Sequence, residues 1–319
     1  MWPVTKKMKL TNSEPNSSFA QYAQCGGTSH LESRPALVRL STGARETPTI
    51  IYMRGVKIDP IAFANSALVV LGAHAFGGDR NDPMYKQVRG VAWSHVILVE
   101  ANPGIASKLA AAVAHKNPTP NVQHARVRVV NEGIVPYDNW DNTTSMRFYG
   151  FDSAPGLLHW ATQIGAFNLH HVTKHFRELL RKQKPGYNYT KAKLHAMVRP
   201  RLINTTSIQR LLAHHNVRRV GVLLIDTEGL DCAIIAAQDW SSPVLCSLNP
   251  RVIIYEKKFC SQQLARRARA ALLATRKCAS GGDDASQQYA VVGQDAENIA
   301  FVRGDRAGVP ARAARGRVR

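Results

Sequence analysis

Acidic residues are scarce in this chain. Its 319 residues carry 22 Asp and Glu against 42 Lys and Arg, a formal net charge of +20. A field of that sign favours acidic partners such as nucleic acid, phosphorylated metabolites, anionic glycans or a membrane surface. No RNA-binding motif accompanies it, so a solvated basic surface is the preferred reading and nucleic acid is not favoured as a partner. Long apolar runs are missing as well. None approaches the roughly 20 residues of a membrane span, and the opening segment MWPVTKKMKLTNSEPNSS lacks the apolar stretch of a secretory signal. The expectation is a cytoplasmic or organellar chain, not an obviously secreted one. On that basis the N-x-[ST] sequons that begin at Asn16, Asn142, Asn188 and Asn204 are read as coincidence. Cysteines are few (Cys25, Cys232, Cys246, Cys260 and Cys278), odd in number and without a C-x-x-C pair, which argues against a zinc cluster and for reduced thiols. No internal repeat is visible.

What is present is enough apolar residue, 45% of the chain, to bury one large α/β core and a smaller insertion. Leu223-Leu224-Ile225-Asp226-Thr227-Glu228-Gly229 is the most informative segment. The run Val220 to Ile225 reads as a strand buried on both faces, and Leu230 to Trp240 as a helix packed on the sheet. Asp226 and Glu228 then stand at the strand's carboxyl edge, where ligands bind in open α/β sheets. The competing reading is that Asp226 or Thr227 caps the following helix. Val96 to Val99, stopped by Glu100, is a second buried strand followed by helical Gly104 to His115. Ala67 to Leu71 is a third, running into the glycine-containing loop Gly72-Ala73-His74-Ala75-Phe76-Gly77-Gly78. Such a loop lets backbone approach a ligand closely, and a carboxylate at the next strand end can accept hydrogen bonds from two ribose hydroxyls. A dinucleotide-dependent oxidoreductase would call for G-x-G-x-x-G after the first strand, and Gly72 to Gly78 does not supply it.

These segments, taken in order, resemble the FkbM-type S-adenosylmethionine-dependent methyltransferases. That family's pattern has a first strand ending in Asp-x-Gly-Ala-Asn, a second ending in Glu-Pro-Asn-Pro, a third followed by Asn-x-Ala or Asn-x-Gly, and a fourth ending in Asp-x-Glu-Gly. The counterparts are Gly72-Ala73-His74, Glu100-Ala101-Asn102-Pro103, Asn131-Glu132-Gly133 after the strand Val127 to Val130, and Asp226-Thr227-Glu228-Gly229. The family's Thr/Ser-x-x-x-Leu-Leu lead-in is matched by Thr206 to Leu212, and a fifth strand fits Pro250 to Glu256. The resemblance covers roughly residues 66–136 and 200–303. It departs at Val70, where the family has an acid, and at His74, where it has Asn; Asp79 or Asp82 of the following loop are the residues that would substitute.

The resemblance implies a Rossmann-like class I methyltransferase fold, a mostly parallel seven-stranded sheet with an antiparallel C-terminal hairpin and a helical insertion. The hairpin is expected at Tyr289 to Val292 and Asn298 to Val302, joined by Gly293 to Glu297. It also implies a site. Gly72 and Ala73 would pass under the cofactor's methionine part, Glu100 would hold the ribose, Asn131 with Glu132 would lie near the adenine, and His74 and Asn102 would also contact the cofactor. Asp226 would contact the cofactor and orient or deprotonate the acceptor, with Glu228 second and a histidine of the insertion third. The implied activity is methyl transfer from S-adenosylmethionine to a small-molecule or glycan hydroxyl, the acceptor being unknown and possibly anionic. Two alternatives stay open: a binding protein that keeps the fold without catalysis, and a nucleic-acid-directed methyltransferase.

Domain organisation follows from composition. Residues 1–45 are polar and read as a flexible leader, 46–303 as the methyltransferase domain, and 304–319 as a disordered basic tail. Within the domain, residues 137–205 are far longer than a normal crossover. They include helical material at Pro155 to Lys182 and many aromatics, and are expected to form a lid that carries acceptor specificity. His171 and His175 stand i, i+4 on one helical face of that insertion, a spacing compatible with metal ligation. Without an acid at H-E-x-x-H spacing they are read as surface histidines, and no metal is expected.

Overall fold

The computed structural model describes residues 51–53, 56–58, 63–74, 91–115, 126–136, 145–151, 164–183, 190–248, 250–275, 288–294 and 297–303. All belong to the compact unit Glu46–Arg319. The leader, the tail, and the loop residues Asp79 and Asp82 lie outside the described residues.

An antiparallel pair, β1 (Ile51–Met53) and β2 (Val56–Ile58), precedes the main sheet. That sheet has seven strands: β3 (Ala67–Leu71), β4 (His95–Val99), β5 (Arg126–Val130), β10 (Val220–Ile225), β11 (Val252–Glu256), β12 (Tyr289–Gln294) and β13 (Asn298–Arg303). Their spatial order is β5-β4-β3-β10-β11-β13-β12. The first five run parallel, and β13 pairs antiparallel with both β11 and β12. The expected α/β sheet with a C-terminal hairpin is therefore present, and its architecture is compatible with a Rossmann-like fold.

The apolar runs become central strands because both faces are covered. Val69, Leu71, Leu223 and Ile225 pack on one side against Ile208, Leu211 and Leu212 of α4 (Ile208–His214), Ile234 and Ile235 of α5 (Asp231–Ala237), Leu245 of α6 (Pro243–Leu248), and Ala268 and Leu272 of α7 (Gln262–Leu273). Leu68, Val70, Leu98, Val222 and Leu224 point the other way, onto Phe63, Trp93 and Leu109 of α1 (Pro103–His115). Each such side chain, fully buried, contributes about 1.5–3 kcal/mol. The Thr/Ser-x-x-x-Leu-Leu lead-in also has a local cause. Ser207 Oγ accepts from Arg210 N–H at 3.3 Å and so caps α4, while Leu211 and Leu212 bury.

The insertion departs from expectation. The helix expected there is present as α2 (Leu169–Gln183), but among the described residues the insertion is mixed rather than purely helical, adding β7 (Ser145–Phe151), β8 (Gly165–Ala166), α3 (Lys191–Met197) and β9 (Val198–Thr206). Together with β6 (Gly133–Ile134), its strands form a second sheet in the order β6-β9-β7-β8. The sequence VRPRLINTT hid β9, because proline and exposed arginines mask its period. In the sheet, β6 pairs only with Thr205 and Thr206, so β9 is an edge at Pro200, where a strand tolerates proline. A separate small core holds the insertion together, with the Phe151 and Phe176 rings tilted by 34° at 4.7 Å among Val172, Leu180 and Leu194.

The thiols are a further correction. Cys232 on α5 and Cys260 just before α7 form a disulfide, their Cα atoms 6.0 Å apart and 28 residues apart in sequence. Cys246 is disulfide-bonded as well. No sequence spacing signals the Cys232–Cys260 bond, because it arises where two helices pack side by side on one sheet face. By loop-closure entropy, the Cys232–Cys260 bond should stabilise the fold by about 3–4 kcal/mol. Denaturant unfolding of Cys232→Ser/Cys260→Ser beside the parent chain measures this, and thiol labelling without reductant should leave both cysteines of the parent unmodified.

Candidate functional site

Strand order reverses between β3 and β10, because the chain leaves β3 towards β4 on one side and returns at β10 on the other. A crevice opens at the carboxyl ends of the strands at such a switch point. A cavity of about 360 Å³ lies there, within the range of small-molecule sites. Gly72, Ala73, His74, Glu100, Asn102, Glu132, Asp226 and Glu228 all contribute to its lining. Asn131 is not in the lining. Its side-chain amide donates to the carbonyls of Glu100 at 2.8 Å and Ala101 at 3.2 Å, tying the end of β4 to the end of β5.

Gly72 shapes the floor. Its φ of +80° is left-handed, and an added Cβ would run into the Asp226 carbonyl oxygen. Only glycine meets both demands. The crossing is drawn tight by backbone bonds: Asp226 N–H donates to Leu71 O at 2.8 Å, and Gly72 and Ala73 N–H donate to Val99 O at 2.9 and 2.8 Å. Val70 and Leu224 form apolar floor beneath.

Glu100 is buried, and each carboxylate oxygen takes one backbone bond. His74 N–H donates to Oε2 at 2.8 Å and Asn102 N–H to Oε1 at 2.7 Å. Burial pushes its pKa up, partly opposed by those two amides. Each oxygen keeps lone-pair capacity for a ligand hydroxyl. Asn102 also caps α1, its Oδ1 accepting from Gly104 N–H at 3.0 Å.

Neither Asp226 nor Thr227 caps the helix after β10. The carboxylate that holds this turn is Asp231, which accepts from Thr227 N–H at 2.9 Å and Gly229 N–H at 3.2 Å. It is almost fully buried, which raises its pKa. Sequence reasoning passed over this residue, although an acid just inside the start of an apolar helix was the available signal. The turn carries two successive left-handed residues, Glu228 at φ +54° and Gly229 at φ +108°. A non-glycine residue in that region persists only where its surroundings over-determine it.

Glu228 is met by the insertion. His171 Nε2 stands 3.5 Å and His175 Nδ1 3.4 Å from the same oxygen, Oε2. The two histidines are not surface residues as expected. Their side chains are 15% and 17% exposed, and both rings pack on Phe259, with centroids 4.4 and 5.3 Å away. Burial would push the Glu228 pKa up, but the two histidines outweigh it and hold it at about 2. Phe148 and Phe167, edge to face at 5.6 Å, complete the wall on the insertion side, fitting over Gly165 and Gly133, which leave no room for a side chain.

Glu256, at the end of β11, is a fourth strand-edge acid. Burial, together with the charges of Asp226, Glu228 and Asp231, pushes its pKa up to about 8, and its Oε2 has no hydrogen-bond partner. Between about pH 4.5 and 8 the folded protein therefore holds a proton that the unfolded chain has released, so stability falls as pH rises through that window. Glu256→Gln should flatten that slope, match the parent near pH 4.5 and exceed it near pH 8, as read from urea midpoints across the range.

None of the protein-family models matches this chain, and none of the curated proteins matches it in sequence.

Proposed function

We propose that the chain is an S-adenosylmethionine-dependent methyltransferase that acts on a hydroxyl of a small molecule or glycan. The observation that carries this reading is the sign of the site. A chain of net charge +20 lines one switch-point cavity with the acids Glu100, Glu132, Asp226 and Glu228. Carboxylates crowded in low dielectric favour a cationic ligand and oppose phosphates. S-adenosylmethionine carries a sulfonium, an ammonium and a ribose, and has no phosphate, whereas a dinucleotide would set its pyrophosphate against these acids. The sheet order, counted along its own strands as third, second, first, fourth, fifth, seventh, sixth, also corresponds to the class I methyltransferase arrangement.

In this reading Glu100 accepts both ribose hydroxyls on the lone pairs its backbone bonds leave open. Gly72 and Ala73 let the main chain lie close under the methionine part, and Glu132 borders the adenine end. The cofactor supplies an electrophilic methyl group on its sulfonium. Asp226 orients the acceptor hydroxyl and takes its proton, with Glu228 beside it, while Phe148 and Phe167 hold the acceptor and exclude water. The insertion is thus a wall of the acceptor site and the seat of specificity. Among the described residues no helix is long and apolar enough to cross a membrane. The Cys232–Cys260 disulfide points to an oxidising compartment rather than the cytoplasm.

Two substitutions separate the roles. Glu100→Ala should weaken S-adenosylmethionine binding roughly ten- to a hundredfold in calorimetry, the loss of about 1.5–3 kcal/mol of charge-assisted hydrogen bonds. Asp226→Asn should leave that affinity nearly intact and slow single-turnover transfer by about two orders of magnitude or more. Parent protein that binds no S-adenosylmethionine refutes the reading. Binding without transfer to any hydroxyl acceptor would instead make this a non-catalytic member of the fold.

A further inference from the structure

We propose that His171, His175 and Glu228 form a binding site for one divalent transition-metal ion, with Zn²⁺ as the expected occupant. One ligand atom from each lies within 4.8 Å of the others. The donor set, two imidazoles and one carboxylate, is a zinc set that leaves the fourth position open. The acid missing from the histidine motif in sequence comes instead from the turn after β10, 53 residues beyond His175.

The distances fit a metal site better than a tight hydrogen-bonded cluster. The two histidine nitrogens stand 3.5 and 3.4 Å from a single Glu228 oxygen. An N–H···O bond, above all a charge-assisted one, closes to about 2.7–3.2 Å. Tetrahedral donors around a zinc ion at about 2.0–2.1 Å stand about 3.3–3.4 Å apart, the edge of the coordination tetrahedron. The two nitrogen-to-oxygen separations match that edge, and all three donor atoms lie within 4.8 Å of one another. Two imidazoles converging on one oxygen also leave the buried Nδ1 of His175 without a hydrogen-bond partner, and a metal ion would satisfy it.

The surroundings hold this geometry in place. Glu228 is fixed in a left-handed conformation, and the following turn is clamped by Asp231. His171 N–H donates to Asn168 Oδ1 at 3.1 Å, anchoring the start of α2. Phe259 supports both rings and is next to Cys260, whose disulfide to Cys232 ties this loop to the helix that follows Glu228. Ligands oriented by a rigid outer layer are what a metal site requires. Because Glu228 also lines the switch-point cavity, the open position belongs at the cavity's edge. A hydroxyl bound there would have its pKa lowered towards about 7, easing transfer of its proton to Asp226 and leaving an oxygen nucleophile at neutral pH. That role rests on the methyl-transfer reading, whereas the metal site itself does not.

The test uses untagged full-length protein, stripped with chelator and titrated calorimetrically with Zn²⁺, with near-UV circular dichroism to confirm folding. One equivalent should bind. Glu228→Gln, which keeps the shape, and His175→Ala should each weaken binding by about a hundredfold or more, at least the loss seen when a ligand's outer partner is removed. His170→Ala, an exposed neighbour on α2, should bind as the parent does. Loading with Co²⁺ should give the visible bands of a tetrahedral site, absent from Glu228→Gln. No stoichiometric Zn²⁺ binding by the parent, or unchanged affinity in folded Glu228→Gln and His175→Ala, overturns the proposal. Titration of the same samples with S-adenosylmethionine keeps the two readings apart: Zn²⁺ binding without cofactor binding supports the metal site and removes the methyltransferase reading, and the reverse result does the opposite.

Discussion

Gly72 lies so close to the Asp226 carbonyl that an added Cβ would run into it, at the point where the chain leaves two parallel strands that belong to opposite halves of the sheet. Everything around the cavity depends on that crossing. With Gly72 left-handed, the loop after β3 turns towards β4, so that His74 N–H reaches the Glu100 carboxylate. With Asp226 N–H bonded to Leu71 O, the turn after β10 starts level with that loop. A side chain at Gly72 would push the two exits apart and separate Glu100 from Asp226 and Glu228.

The second organising fact is electrostatic. The chain carries a net charge of +20, yet acids collect at the carboxyl edge of β4, β10 and β11. Their burial is unfavourable unless each finds hydrogen bonds or an opposite charge. Glu100 and Asp231 are met by backbone amides, Glu228 by two histidines, and Glu256 by protonation. These different solutions, within one small region, mark where the protein departs from what stability alone would select, which is the usual signature of a functional site.

Legibility in the sequence followed burial. β3 and β10 match their apolar runs residue for residue, because strands covered on both faces show short unbroken hydrophobicity, here bounded by a glycine or an acid. The site residues at the ends of those strands were legible for the same reason, since an acid or glycine that stops a buried run is conspicuous. The insertion was not. Its sheet is half exposed and interrupted by Pro200 and arginines, so its period is lost. Asp231 was hidden because it lies one residue inside the helix that it helps to start.

Local chemistry along the chain thus determined the parallel strands, the glycine that must turn left-handed, and the acids at the strand ends, because each depends on the character of a few consecutive residues. Only the tertiary structure decided which distant groups meet. Cys232 bonds Cys260 because α5 and α7 share a sheet face. Phe148 and Phe167 reach the cavity because the insertion folds on its own small sheet. His171 and His175 find their carboxylate in Glu228, a partner that helical spacing could not reveal, because it stands at the end of a strand in a different part of the chain.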